Sequence, residues 1–117
     1  MSFKFDKLII WQKAMDLGEE INQLWEALPK KEIYNLSSQI CRAADSIALN
    51  ISDGSILQSA AEFRKFLGYA IRSLGEVLTC LYKANRRTYI NDEKFINLNN
   101  QIFNLMNQIV AFRNQLK

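Results

Sequence analysis

The chain has 117 residues, of which 49% are apolar and 23% are charged, and its formal net charge is +3. This composition is typical of one globular domain that buries a core without disulfides or a structural metal. Because the sequence has no histidine, it lacks the commonest general base and metal ligand, and we predict no catalytic residue, metal site or cofactor. Four glycines and a single proline favour a helical fold over a β fold with many turns.

The cysteines and the N-terminus indicate where the protein resides. Cys41 and Cys80 lie far apart at apolar-flanked positions, so we expect two reduced, buried thiols in a cytoplasmic protein. The first residues lack the apolar core of a secretory signal. No run approaches the roughly 20 apolar residues of a membrane span, so we expect no membrane association.

Charge is divided unevenly along the chain. Through Phe63 there are six basic and nine acidic residues, whereas from Arg64 onward there are nine basic and three acidic residues. This polarity is compatible with an acidic partner and with head-to-tail self-association.

Hydrophobic periodicity predicts a first helix over residues 6–28 and a second over residues 36–53. Asp6 is the expected N-cap of the first helix, and Pro29 is expected to end it. The apolar residues of this helix cover about half its circumference, more than one packing stripe requires. Gly54 is expected to follow the second helix as a C′ residue with a positive φ.

The second helix carries two stripes. At about 100° per residue, its apolar face adjoins an ordered polar line. We call this line the polar seam; it consists of Gln39, Arg42, Ser46, Asn50 and Asp53. Such a line indicates an interaction surface or a buried hydrogen-bonded seam. In the second case Ser46 would bond to Ser73, and Arg42 would pair with Glu76 on the next helix.

Ser59 and Glu62 form a capping-box pattern that opens a third helix over residues 59–87, about 40 Å long. Its apolar residues share one arc, and all six of its cations lie on the opposite side. We call this second group the basic strip; it consists of Arg64, Lys65, Arg72, Lys83, Arg86 and Arg87. Lysine and arginine residues along one face of a helix are typical of a surface that contacts nucleic-acid phosphates, but a solvated face or a subunit contact would have the same pattern.

A fourth helix is predicted over residues 92–116, with Asn91 as its N-cap. Besides its core stripe it has a second apolar stripe, formed by Ile96, Phe103 and Val110 at seven-residue spacing. A monomer would leave this stripe exposed, which favours an oligomer with the stripe at the subunit interface. Short connections between long helices predict one domain, an antiparallel up-down-up-down four-helix bundle of the all-α class.

An ordered series of short motifs resembles a known family. It includes Trp11-Gln-Lys-Ala14, Leu28-Pro29, Ser38-Gln-Ile40, Arg42-Ala-Ala44, Asn50-Ile51, Asp53-Gly54 and Phe66-Leu67-x-x-Ala70. In these motifs the chain resembles the small four-helix bundle proteins encoded in intervening sequences of bacterial 23S rRNA genes. The resemblance implies a ring-shaped homopentamer. It also implies a relation to accessory proteins of diversity-generating retroelements, which work with a reverse transcriptase and nucleic acid.

These observations lead to a primary hypothesis and an alternative. The primary hypothesis is a non-enzymatic, cytoplasmic homo-oligomer whose basic surface binds RNA or DNA in an accessory role. The alternative is a scaffold or adaptor that contacts a protein partner and has no affinity for nucleic acid.

Overall fold

The computed structural model describes residues 3–57 and 59–117 and contains four α-helices. They are α1 (Ile9–Gln23), α2 (Leu36–Ile56), α3 (Ala60–Arg86) and α4 (Asp92–Gln115). Each helix packs against the next one in the chain, and α1 also packs against α4. The predicted four-helix bundle is therefore confirmed, and it measures 44 × 23 × 23 Å.

One continuous apolar core runs along the bundle axis, and all four helices contribute to it. Ile21, Ile47, Leu74 and Ile109 are each completely buried. Each of these residues belongs to the apolar face of its helix, and the amphipathic pattern of each helix turns that face toward the core. Within the described residues, no helix has the length and apolar character needed to cross a membrane.

The N-terminal boundary of the first helix differs from the prediction. Asp6 does not cap it, because Asp6 belongs to a separate 3₁₀ turn, Lys4–Lys7. The α-helix begins at Ile9 after Leu8, whose side chain makes no capping bond. At the other end the helix tightens into a 3₁₀ turn, Leu24–Ala27, before Pro29, where a helical conformation is disfavoured.

The prediction for Gly54 is wrong. Helix α2 continues past it to Ile56, and none of the glycines has a positive φ. A Cβ atom built on Gly54 would lie 2.7 Å from Cβ of Phe66 and 3.0 Å from Cδ1 of Phe63. The missing side chain therefore allows α2 and α3 to approach each other closely. The short loop predicted after α2 includes residue 58, which lies outside the described residues.

The predicted caps of α3 and α4 are confirmed. The Ser59 hydroxyl accepts a hydrogen bond from the Glu62 amide at 3.0 Å, and the Asn91 side chain accepts one from the Lys94 amide at 2.8 Å. Both bonds satisfy an amide that the first helical turn leaves without a partner.

A left-handed residue ends α3, and it is a threonine. Thr88 has a φ of 60°. Its amide donates to the Asn85 carbonyl at 3.0 Å, and the Tyr89 amide donates to the Ala84 carbonyl at 2.9 Å. This is the Schellman arrangement, in which glycine usually occupies the left-handed position because β-branched residues are strained there.

A basic groove between α2 and α3 as the candidate functional site

All six residues of the basic strip are exposed to solvent. Lys65, Arg72, Lys83 and Arg86 form no ion pair within the described part of the chain. The guanidinium carbon of Arg72 lies 5.5 Å from the ring centre of Tyr69, which is a cation–π contact. These four cations define a positively charged crest along α3, about 30 Å long at 1.5 Å per residue.

The two ends of the strip are held by the protein itself. Nη1 of Arg64 donates to the Leu116 carbonyl at 3.1 Å, near the end of α4. Nη1 of Arg87 lies 3.1 Å from Oε2 of Glu32, an ion pair across the loops at one end of the bundle. Both arginines thus serve packing contacts in addition to any role toward a ligand.

An open groove of about 740 Å³ lies between α2 and α3, beside this crest. Arg42 of α2 lines it together with Arg72 and Lys83 of α3, and Glu76 is the only acid among the lining residues. The groove therefore has a net charge of +2. The polar seam and the basic strip, which the sequence suggested separately, meet in this groove.

Three residues of the polar seam, Gln39, Arg42 and Ser46, line the groove. The hydroxyls of Ser46 and Ser73 are hydrogen-bonded at 2.5 Å, as predicted. The predicted pair between Arg42 and Glu76 does not form. Nε of Arg42 instead points to the Ser38 carbonyl, one turn earlier in the same helix, at 3.4 Å, because both charged side chains are exposed and gain little from pairing.

The remaining seam residues are more exposed than a buried network would be. Gln39 and Asp53 are exposed, and the half-buried Asn50 donates its amide to the Ser46 carbonyl within α2 at 2.8 Å. Only Ser46 connects α2 to α3 through a side-chain bond among the described seam residues.

The cysteine thiols offer little nucleophilic reactivity. Cys80 lies in the floor of the groove and is buried, whereas Cys41 is half-buried, so the expectation of full burial holds only for Cys80. Burial raises the pKa of both thiols above the ordinary value, so they remain protonated at neutral pH. The groove thus offers hydrogen-bond donors and positive charge, which suit the binding of an anion.

Sequence reasoning missed a buried carboxylate that ties two loops together. Glu32 accepts hydrogen bonds from the Tyr89 hydroxyl at 2.8 Å, from Arg87 at 3.1 Å and from the Asn35 amide at 3.0 Å. The Tyr89 hydroxyl is the largest of the effects that lower the pKa of Glu32. The glutamate in a polar connection gave no signal of burial, because its main partners are 55 and 57 residues away.

The second apolar stripe of α4 lies on the outside of the bundle. Phe103 is 63% exposed and Ile96 is 55% exposed, while Val110 is half-buried. Tyr82 of α3 extends this surface, since it is 51% exposed and packs edge-on against Phe95 of α4.

Together, the helical bundle and the basic groove define a class of small, all-helical proteins with a surface suited to anions. The family model of the 23S rRNA-intervening sequence proteins matches residues 6–111, and the chain belongs to this family. None of the curated proteins that were compared with the chain matches it.

A solved structure shows the same fold. It is a crystal structure of a protein from Bacteroides thetaiotaomicron, described as a member of the S23 ribosomal protein family with unknown function. The TM-score is 0.83 at 24% sequence identity, and the match covers 90% of this chain and 98% of that chain.

Proposed function

We propose that this protein is a non-enzymatic homo-oligomer that binds the phosphate backbone of RNA or DNA in an accessory role. The observation that carries the proposal is the convergence of Arg42, Arg72 and Lys83 on one groove that contains a single acid. Cations from two helices on one surface can contact several phosphates of the same polyanion, and each neutralised phosphate releases counterions and so adds to the affinity.

The crest of α3 extends this surface. Its four cations follow a line of about 30 Å, close to the roughly 34 Å of one turn of a nucleic-acid duplex. Lysine and arginine that contact phosphates position a nucleic acid without reading its bases. We therefore expect binding that depends little on sequence and weakens steeply as the salt concentration rises.

Oligomerisation is the second part of the proposal. The exposed Ile96 and Phe103 give α4 an apolar surface that a subunit contact would bury. A ring of copies would repeat the basic groove around the assembly and raise the avidity for a long polyanion. In the accessory role, the protein would hold the nucleic acid for a partner enzyme such as a reverse transcriptase.

Filter binding tests the nucleic-acid part. Single- and double-stranded RNA and DNA are compared at low and physiological salt, with the parent protein and with a variant that carries Arg72→Glu, Lys83→Glu and Arg86→Glu. Arg87 is left unchanged because it holds Glu32. We expect the variant to lose binding while its helix content and oligomer mass stay the same.

The matched control reverses three exposed lysines that do not line the groove: Lys13→Glu, Lys30→Glu and Lys31→Glu. This control changes the net charge by the same amount, and we expect it to retain most of the binding. If the parent binds no nucleic acid at low salt, or if both triple variants bind equally, the groove is not a phosphate site and the adaptor hypothesis replaces it.

A further inference from the structure

A second exposed apolar surface lies on the side of the bundle away from the α4 stripe. It is a groove of about 460 Å³ between α1 and α2, and its lining residues include Trp11, Met15 and Leu49. Leu49 is 59% exposed and Met15 is 42% exposed. An exposed apolar groove of this kind typically marks an interaction site.

Two pairs of small residues lie among the residues that line this groove. Ala14 and Gly18 of α1 face Ala44 and Ala48 of α2, and all four line the groove. A Cβ atom built on Gly18 would lie 3.9 Å from the Ala44 carbonyl oxygen, which is ordinary van der Waals contact. The larger apolar side chains then stand at the edges of a shallow channel, which has room for apolar side chains of another helix.

The contacts within the bundle place the two apolar surfaces on opposite sides. Helices pack in the order α1, α2, α3, α4 and back to α1, so the α1–α2 side faces away from the α3–α4 side. The α4 stripe, with Tyr82 of α3 beside it, belongs to the second of these sides.

Charge complements the apolar match. The α1–α2 groove is lined by two acids, Glu19 and Asp45, and by no cation. Residues 9–56, which include α1 and α2, carry seven acidic and four basic residues, whereas residues 60–115, which include α3 and α4, carry eight basic and four acidic residues. The two halves of the chain are therefore opposite in net charge, so unlike halves of two copies attract each other and like halves repel.

We propose that the α4 stripe of one copy docks into the α1–α2 groove of a second copy. Such a contact is heterologous, because it joins two different surfaces, and each copy keeps one surface of each kind for the next neighbour. Assembly then continues until the copies close into a ring of three or more. A side of the bundle measures 44 by 23 Å, and the area of such a side exceeds the ~800 Å² per partner that a stable interface buries.

This inference rests on the oligomeric part of the proposed function and adds which surfaces pair. Two exposed residues provide the test, because replacing them should not unfold the bundle. Phe103→Asp removes the stripe and keeps the groove, whereas Leu49→Asp removes the groove and keeps the stripe. Tyr34→Asp is the control, since Tyr34 is 95% exposed in a connection and lies on neither surface.

The readout is mass by light scattering, with circular dichroism as a check of helix content. We expect the parent and Tyr34→Asp to have a mass of at least three times 13.6 kDa, and we expect Phe103→Asp and Leu49→Asp each to be a monomer. Mixed in equal amounts, Phe103→Asp and Leu49→Asp should form a one-to-one dimer of twice 13.6 kDa, because one intact groove then meets one intact stripe.

The outcomes separate the two proposals. If the parent is a monomer, the oligomeric part of the proposed function fails together with this inference. If the parent is an oligomer but Leu49→Asp keeps its full mass, or if the mixed variants stay monomeric, then only the pairing of stripe with groove is wrong. A parent dimer would also overturn the pairing, because a dimer joins like surfaces.

Discussion

Replacing glycine with alanine should have opposite effects on stability at two positions in the bundle. Alanine is favoured over glycine in a helix interior by about 1 kcal/mol, and both Gly54 and Gly75 lie inside helices. A Cβ atom at Gly75 would meet nothing within 4 Å, whereas one at Gly54 would overlap Phe66 Cβ at 2.7 Å. The Phe66 Cβ atom is fixed to the backbone of α3, so it moves only if the helices separate.

The magnitudes follow from these contacts. We expect Gly75→Ala to raise the free energy of unfolding by about 1 kcal/mol, because it gains helix propensity without a clash. Forcing an extra methyl group into a close-packed contact costs about 1–3 kcal/mol. The gain in helix propensity offsets about 1 kcal/mol of this cost, so we expect Gly54→Ala to lower the free energy of unfolding by about 1 kcal/mol. The two variants should therefore differ by about 2 kcal/mol.

Urea denaturation monitored by circular dichroism measures this difference in the free energy of unfolding, with all samples at the same protein concentration. Gly68→Ala is a further control, since its Cβ would meet only the flexible end of Arg113 at 3.8 Å. An increase in stability for Gly54→Ala equal to that for Gly75→Ala would refute the close approach of α2 and α3 at Gly54.

Three further substitutions test local features of the structure. Thr88→Gly should raise the free energy of unfolding by about 1 kcal/mol in urea denaturation, because glycine adopts the positive φ without strain; a loss of stability would contradict the left-handed assignment. Glu32→Gln should lower the melting temperature at neutral pH, while the exposed Glu26→Gln control should not. Because the pKa of Glu32 is lowered in the fold, the ionised carboxylate stabilises the protein above the ordinary carboxyl pKa, and this stabilisation is lost as the pH falls through the lowered value. The difference in melting temperature between the parent and Glu32→Gln should therefore close in acid. A difference that stays constant with pH would argue against the buried carboxylate. Asn50→Leu should change the urea midpoint little, because the Asn50 amide bonds only within α2 in the described residues, and a large loss would indicate a buried seam.

The helices could be predicted from the sequence because amphipathic periodicity and caps are local signals. Ser59 and Asn91 are followed within three residues by the amides that they cap, so the pattern is legible in the sequence. Gly54 and Thr88 could not be predicted in the same way. A glycine after an apolar run has the same sequence signal whether it ends a helix or lets a neighbour approach.

The cations of α3 show what the sequence could and could not predict about the site. Periodicity placed them on one side of the helix, and they are exposed there. The partners of Arg64 and Arg87 are 52 and 55 residues away, so no local pattern indicated that these two would be engaged. The groove also depends on how α2 and α3 are aligned, since only that alignment brings Arg42 beside Arg72 and Lys83.

The salt dependence of nucleic-acid binding tests the central proposal most directly. For a single strand, the slope of log K against log salt changes by about 0.7 for each phosphate contact. A variant with Arg72→Ala, Lys83→Ala and Arg86→Ala should therefore have a slope shallower than the parent's by about 2. The account predicts this change, with a parental slope for the matched Lys13→Ala, Lys30→Ala and Lys31→Ala control. Equal slopes for the two triple variants would contradict it.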